Sequence, residues 1–293
     1  MKIEGRTFVV SGGYVVIPAP FLLSHATPIP PPPPLQHPQL TPFRSSGLGL
    51  ATVLSILHHG GYAAILDLNP PPASSLPPSG GGGAKFFECD VTSTTSIASA
   101  VAALTTWTST TGLPLGGIIP AAGIGLPGLI LSKSLDPLPL SSIDLVLGVN
   151  LRGTLDLVRQ VLPHLAASPP YGDDGERGVV VMVASSAAFE GQMGQVAYAA
   201  SKGAVAAMTL PMARDLSRFG IRVVTIAPSM FDSAMTAAMS DKVRAGLKKA
   251  MEFPARAGRP EEFASLVVQS IENAMLNGVV VRLDGATRMP SKL

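Results

Sequence analysis

The run Gly178-Val179-Val180-Val181-Met182-Val183 constrains this chain more than any other stretch. It is apolar without alternation and rich in β-branched residues, the pattern of a parallel strand covered on both faces. Similar runs recur along the chain with helix-like stretches between them, which predicts βαβ units and a parallel sheet. Strands are expected at Thr7–Ser11, Ala63–Asp67, Lys85–Glu88, Gly117–Pro120, Gly178–Ala184, Arg222–Ala227 and Val279–Leu283. Helices are expected at Leu48–His58, Ser93–Thr110, Ser141–Leu165, Gln195–Phe219 and Pro260–Glu272, with Lys133–Leu140 irregular because prolines interrupt it. At 293 residues, 46% of them hydrophobic and only 14% charged, the chain can bury such a sheet in a single α/β domain.

The chemistry gathers around that run. It ends in Ala184-Ser185-Ser186, placing a hydroxyl at the carboxyl end of a strand, where ligands sit in open α/β sheets. Thirteen residues after Ser185 comes Tyr198, within Gly194-Gln195-Val196-Ala197-Tyr198-Ala199-Ala200-Ser201-Lys202-Gly203, which sets it four residues before Lys202. On a helix these two share a face. A phenol, with a pKa of about 10, is a poor base near neutrality, and a neighbouring cation favours its ionised form. Taken alone the pair also fits a half-buried ring beside a snorkelling lysine. Two further pieces lie upstream: Val149-Asn150-Leu151-Arg152-Gly153 carries one amide, and Thr7-Phe8-Val9-Val10-Ser11-Gly12-Gly13 is a strand running into a glycine turn.

With these pieces in this order the chain resembles the classical short-chain dehydrogenase/reductase family. Ala188–Gln192, Met208–Leu216 and Leu276–Ala286 resemble its type 2 3-hydroxyacyl-CoA dehydrogenase subgroup, which also oxidises hydroxysteroids. The resemblance is nearly continuous from about Gly178 to Met289. It implies a Rossmann-type, doubly wound parallel sheet of about seven strands, NAD as cofactor, and an acyl-CoA or other hydrophobic alcohol as substrate. A homotetramer is also implied.

The resemblance further implies roles. Tyr198 is the proton acceptor, Lys202 its electrostatic partner, Ser185 the donor to the substrate oxygen, and Asn150 the amide that holds a water beside the lysine. Asp67, at the end of the second strand, contacts the ribose hydroxyls and repels a 2′-phosphate, favouring NAD over NADP. Asp90 and Val91 flank the adenine. Pro120-Ala121-Ala122-Gly123 stands where the family has Asn-x-Ala-Gly, so Ala122 and Gly123 line the cofactor while Pro120 forfeits a side-chain tie and a backbone donor. Pro228 and Met230 join the cofactor set, and Ser233 falls where a threonine often meets the carboxamide. Ser229 replaces a glycine, and the expectation is a backbone conformation that glycine accepts more readily.

Two segments break the pattern. Asn69 to Gly83 is rich in Pro, Ser and Gly and cannot hold a helix. Tyr14 to Arg44 contains Pro30-Pro31-Pro32-Pro33-Pro34 and interrupts the phosphate-binding turn. Removing it joins Ser11-Gly12-Gly13 to Ser45-Ser46-Gly47-Leu48-Gly49 and restores the family's [Thr/Ser]-Gly-x-x-x-Gly-x-Gly spacing. Glycines there allow close backbone approach, and the helix that follows offers its N-terminus to the pyrophosphate. Residues 14–44 therefore read as an unspliced intron carried into the coding sequence. Gly13-Tyr14-Val15 can be encoded GGG-TAT-GTN with a donor-like GTATGT, Leu40-Thr41 as a branch-point-like CTGAC or CTAAC, and Phe43-Arg44 as an acceptor-like TTC-AGN. A genuine loop flipped out at the turn is the other reading.

The remaining features bound the function. A net charge of +2 supplies no basic field for nucleic acid. Cys89, the sole cysteine, excludes an internal disulfide, fits a reducing compartment and follows a strand as a small core residue. No apolar run reaches the roughly 20 residues of a membrane span. The five histidines and Trp107 lack metal or triad spacing, and no metal is expected. Met1–Arg6 leads directly into the first strand, leaving no room for a presequence. The chain closes with Ser291-Lys292-Leu293, a peroxisomal address read by an import receptor. That address arises by chance in roughly one chain in several thousand. Peroxisome is therefore the expected compartment, with mitochondrion or cytoplasm as alternatives.

Overall fold

The computed structural model describes residues 1–12, 47–76, 83–233, 236, 246 and 250–289. Seven strands form one parallel sheet: β1 (Thr7–Ser11), β2 (Tyr62–Asp67), β3 (Ala84–Glu88), β4 (Leu115–Pro120), β5 (Gly178–Val183), β6 (Ile221–Pro228) and β7 (Val279–Leu283). Their spatial order is β3-β2-β1-β4-β5-β6-β7, so the winding direction reverses between β1 and β4. Such a switch point is where open α/β sheets take up ligands, at the carboxyl ends of the central strands.

The alternation along each strand feeds two separate cores. Phe8 and Val10 of β1, with Val179, Val181 and Val183 of β5, pack against α1 (Leu48–His58) and α6 (Pro260–Glu272). Val9, Val180 and Met182 face the opposite layer, made by α2 (Thr94–Thr111), α4 (Thr154–Ala166) and α5 (Val196–Leu216). Burial on both faces is why β5 needs no polar residue. All six of its residues are buried.

The expected strands and helices are all present, with their ends shifted by no more than two residues, except that α5 stops three residues short of Phe219, where a 3-10 turn at Ser217–Phe219 takes over. One differs in kind. The helix expected over Ser141–Leu165 is divided into α3 (Leu140–Leu147), a π-helical turn at Gly148–Gly153, and α4. A π turn inserts an extra residue into the helical ladder and is common at functional sites. Asn69–Gly83 holds only a short 3-10 turn at Ala73–Ser75 among its described residues. Lys133–Leu140 is irregular up to the start of α3, with a single bridge between Leu131 and Pro137 just before it. The insert 14–44, Gly13, Ser46 and the terminal Ser291-Lys292-Leu293 lie outside the described residues.

Proline at the end of β4 has a visible consequence. Pro120 still lies beside Ser11 of β1, but the β4–β5 ladder pairs only Gly117 with Val179 and Ile118 with Val180. With no N–H to give, Pro120 cannot extend that ladder. Among the described helices none is long and apolar enough to cross a membrane.

Candidate active site

β5 delivers the first catalytic candidate. The chain leaves the strand at Val183 and turns through Ser185, whose extended backbone (φ −164°, ψ 158°) caps a 3-10 turn at Ser186–Ala188. Its Oγ accepts from the Ala187 N–H at 3.2 Å and is near enough to the Tyr198 phenol to draw its pKa down. Tyr198 and Lys202 share a face of α5 as their spacing requires, with Lys202 Nζ 5.9 Å from the tyrosine ring centroid. Lys202 is buried, and its Nζ donates to the Val183 carbonyl at 2.9 Å.

Burial governs both titrations. It pulls the Lys202 ammonium down to about 8. It also pushes the Tyr198 phenol above its usual value, with the Ser185 hydrogen bond pulling more weakly the other way. In the protein by itself, desolvation is the larger influence on the phenol.

Asn150 sits at the π turn, fully buried. Its Oδ1 accepts from Ile124 N at 2.8 Å, and its Nδ2 donates to Ile124 O at 2.9 Å and to Ser201 Oγ at 3.1 Å. Those partners make the side chain first a brace between the segment after β4 and α5, a wider role than holding a water. A Cβ placed on Gly123 would stand 3.3 Å from Asn150 Oδ1 and 3.4 Å from Lys202 Nζ, so the three groups crowd together. Sequence reasoning missed Ser201, which is fully buried and donates to Tyr198 O at 2.7 Å. Its adjacency to Lys202 was the available signal. The backbone partners at Ile124 and Val183 left none.

The nucleotide side lies across the switch point. Ser11 ends β1, and Gly12 follows with φ 78°; a Cβ there would fall 2.3 Å from Ala122 Cα, so only glycine fits. Gly47 precedes Leu48 and Gly49 at the start of α1, whose N-terminus has no side-chain cap and no acidic residue in its first turn. Its free N–H groups and dipole suit an anion. Ser11 Oγ, at the carboxyl edge, is buried with no partner among the described residues. Asp67 ends β2, buried, and its Oδ1 accepts from Asn69 N at 3.3 Å. Asp90 Oδ1 accepts from the Thr92 N–H and hydroxyl at 2.8 and 2.7 Å, and Val91 lies against the π turn. An uncapped helix, an orphan hydroxyl and an acid at the end of β2 fit a dinucleotide.

Pro228 ends β6 and Met230 is buried beside Met251. Ser233 exchanges hydrogen bonds with Thr236, a residue the sequence reading passed over. Ser229 corrects an expectation. The only non-glycine residues with positive φ among those described are Leu135 and Ala286, so Ser229 is not strained. Its N–H donates to Leu283 O at 3.1 Å, and what it carries instead is a buried hydroxyl with no partner. Cys89 is buried in the core with its thiol pushed up to about 11 by burial.

A serine, a tyrosine and a lysine gathered at that edge can exchange a proton with an alcohol or carbonyl oxygen, beside strand ends and a helix start that fit a dinucleotide: this is the layout of an oxidoreductase that works with a nicotinamide cofactor. The model of the short chain dehydrogenase family matches residues 44–244, and the chain belongs to that family. It is 42% identical to 3-hydroxyacyl-CoA dehydrogenase type-2 of Bos taurus over 84% of this chain and 92% of the relative. The Homo sapiens protein of the same name is 40% identical over the same shares. The solved structure of 3-hydroxyacyl-CoA dehydrogenase type-2 from Mycobacterium avium superposes with a TM-score of 0.76 at 31% identity, covering 100% of both chains.

Proposed function

We propose that this enzyme is an NAD-dependent dehydrogenase that oxidises the 3-hydroxyl of a 3-hydroxyacyl-CoA. The observation that carries the substrate class is similarity at 42% identity across nearly the whole of a relative bearing that name. Tyr198 takes the proton from the substrate hydroxyl, and Ser185, beside the phenol, donates to the same oxygen as charge develops there. Lys202 holds positive charge beside the ring, and Asn150 with Ser201 keeps the helix carrying both groups in place. A nicotinamide, when bound, supplies the ring carbon that takes up the substrate's carbon-bound hydrogen. Ser11, Gly12 and the start of α1 would hold its pyrophosphate, and Asp67 its adenosine ribose, disfavouring a 2′-phosphate.

The terminal Ser291-Lys292-Leu293 supports import into peroxisomes, where fatty-acyl oxidation is consistent with the reaction. A homotetramer and a single domain are the accompanying expectations. The decisive experiment is a panel of 3-hydroxyacyl-CoA esters, hydroxysteroids and simple secondary alcohols with NAD⁺ and NADP⁺. Preference for the CoA esters and NAD⁺ supports the reading. Turnover of hydroxysteroids alone replaces its substrate, and binding of NADH without turnover of any alcohol replaces it with a non-catalytic role.

A further inference from the structure

The π-helical turn Gly148–Gly153 has two working faces. One carries Asn150, tied to the segment after β4 and to α5. The other presses on the turn Asp90–Ser93. A Cβ on Gly153 would meet Val91 O at 2.8 Å, so the backbones touch and no side chain fits between them. Arg152 projects from the same face. Its Nη1 donates to Thr92 O at 3.1 Å and its Nη2 to Thr94 Oγ1 at 3.0 Å. Thr94 Oγ1 in turn donates to Asp156 Oδ2 at 2.7 Å, and Gln160 Nε2 bridges Asp156 Oδ1 at 2.8 Å and Thr94 O at 3.3 Å. The chain from α4 to the start of α2 is therefore continuous, and Arg152 is the member that reaches the turn itself.

That turn is held on its inner side as well. Asp90 Oδ1 accepts twice from Thr92, and Asp90 N donates to Ser96 Oγ at 2.9 Å. From outside, the planar guanidinium fork opposes movement of the Thr92 carbonyl away from the π turn. We propose that Arg152 is a positioning residue for the adenosine half of the cofactor: by fixing the Asp90–Thr92 turn against the π turn it presets the distance between the adenine contacts and Asn150. The inference rests on the cofactor reading above. Arg152 touches neither the reacting atoms nor Tyr198, so its effect falls on binding rather than on the proton transfer.

Arg152→Met keeps the apolar stem and removes both donors. Calorimetric titration with ADP-ribose is expected to show affinity about three- to tenfold weaker than in the unchanged protein, since two exposed charge-assisted bonds are lost. The KM for NAD⁺ rises by the same factor with kcat within twofold, while turnover supported by nicotinamide mononucleotide, which lacks the adenosine half, is unchanged. In the ligand-free protein, hydrogen exchange of the amides at 90–93 speeds up and that of α5 does not. Arg152→Lys recovers part of the affinity, and it stands in should the methionine variant not fold. Equal ADP-ribose affinity, or equal exchange at 90–93, overturns the proposal. If the unchanged protein fails to bind ADP-ribose at all, the cofactor reading itself is wrong and this inference falls with it.

Discussion

The two halves of the carboxyl edge are built in different ways. On the catalytic side, strand, serine, helix, tyrosine and lysine follow one another between Gly178 and Leu216, and every residue of that stretch is described. On the nucleotide side, β1 ends at Ser11 and α1 begins at Leu48, with Tyr14–Arg44 in the interval. The family's model begins its match at residue 44, where that interval closes, although β1 lies between β2 and β4 in the sheet. A site assembled within one contiguous βα unit depends on local geometry alone. One that needs two glycine segments brought back together depends on everything between them.

The comparison breaks first at Tyr198. Tyr198→Phe removes only the acid/base oxygen, and turnover is expected to fall about a thousandfold with NADH binding nearly intact. Survival of activity within tenfold would mean that the catalytic side is not the one that reacts.

The insert is the next test. A flexible loop of that length costs only a few kcal/mol to close, so both forms of the chain should fold. Each backbone donor displaced from the pyrophosphate forfeits a charge-assisted bond of roughly 1.5–3 kcal/mol. A chain lacking Tyr14–Arg44 is therefore expected to bind NADH at least about tenfold more tightly in a fluorescence titration. Equal affinities would make the segment a tolerated natural loop and erase the contrast between the halves.

Lys202 sharpens the contrast through stability. Its pKa of about 8 lies below the free value of 10.5, so the folded state disfavours its charge. The cost is fully present below pH 8, and it fades as pH rises from 8 towards 10.5, where the unfolded chain binds the extra proton. Lys202→Met, which leaves the Val183 carbonyl without its donor, should stabilise the ligand-free protein by about 1–2 kcal/mol at pH 7 while abolishing turnover. Denaturant unfolding at pH 7 and pH 10 checks the sign: a gain that grows with pH contradicts the assignment.

The smallest effect is expected at Asp67. In its proposed role Asp67 repels a 2′-phosphate, so Asp67→Ser is expected to narrow a preference for NAD⁺ over NADP⁺ by roughly a few-fold to tenfold. Wild-type enzyme that prefers NADP⁺ would refute the role outright.

How legible each half was follows from the same difference. The Tyr198–Lys202 face, the Ser185 turn and the ends of β1, α1, α6 and β7 could be read from spacing and hydropathy, because strand and helix periods are local properties of the chain. The π turn escaped, since Val149–Arg152 has an ordinary helical composition and the extra residue is imposed by what lies on either side, Ile124 and Ser201 inward and Val91 outward. Ser229 was misread for a related reason: glycine's absence says nothing about φ where the N–H is tied to Leu283 O and the backbone does not enter the positive-φ region.

What this sequence determined by itself is the parallel sheet, its covering helices and the shared face of Tyr198 and Lys202, because buried strands must be apolar and an i, i+4 pair must share a face. Only the tertiary structure decided that Tyr198 and Lys202 are desolvated enough to shift against their charges, that Asn150 braces rather than merely lines the site, and that Arg152 reaches the Asp90 turn. Those facts are set by groups distant in the chain, whose burial and contacts exist only once the layers have closed.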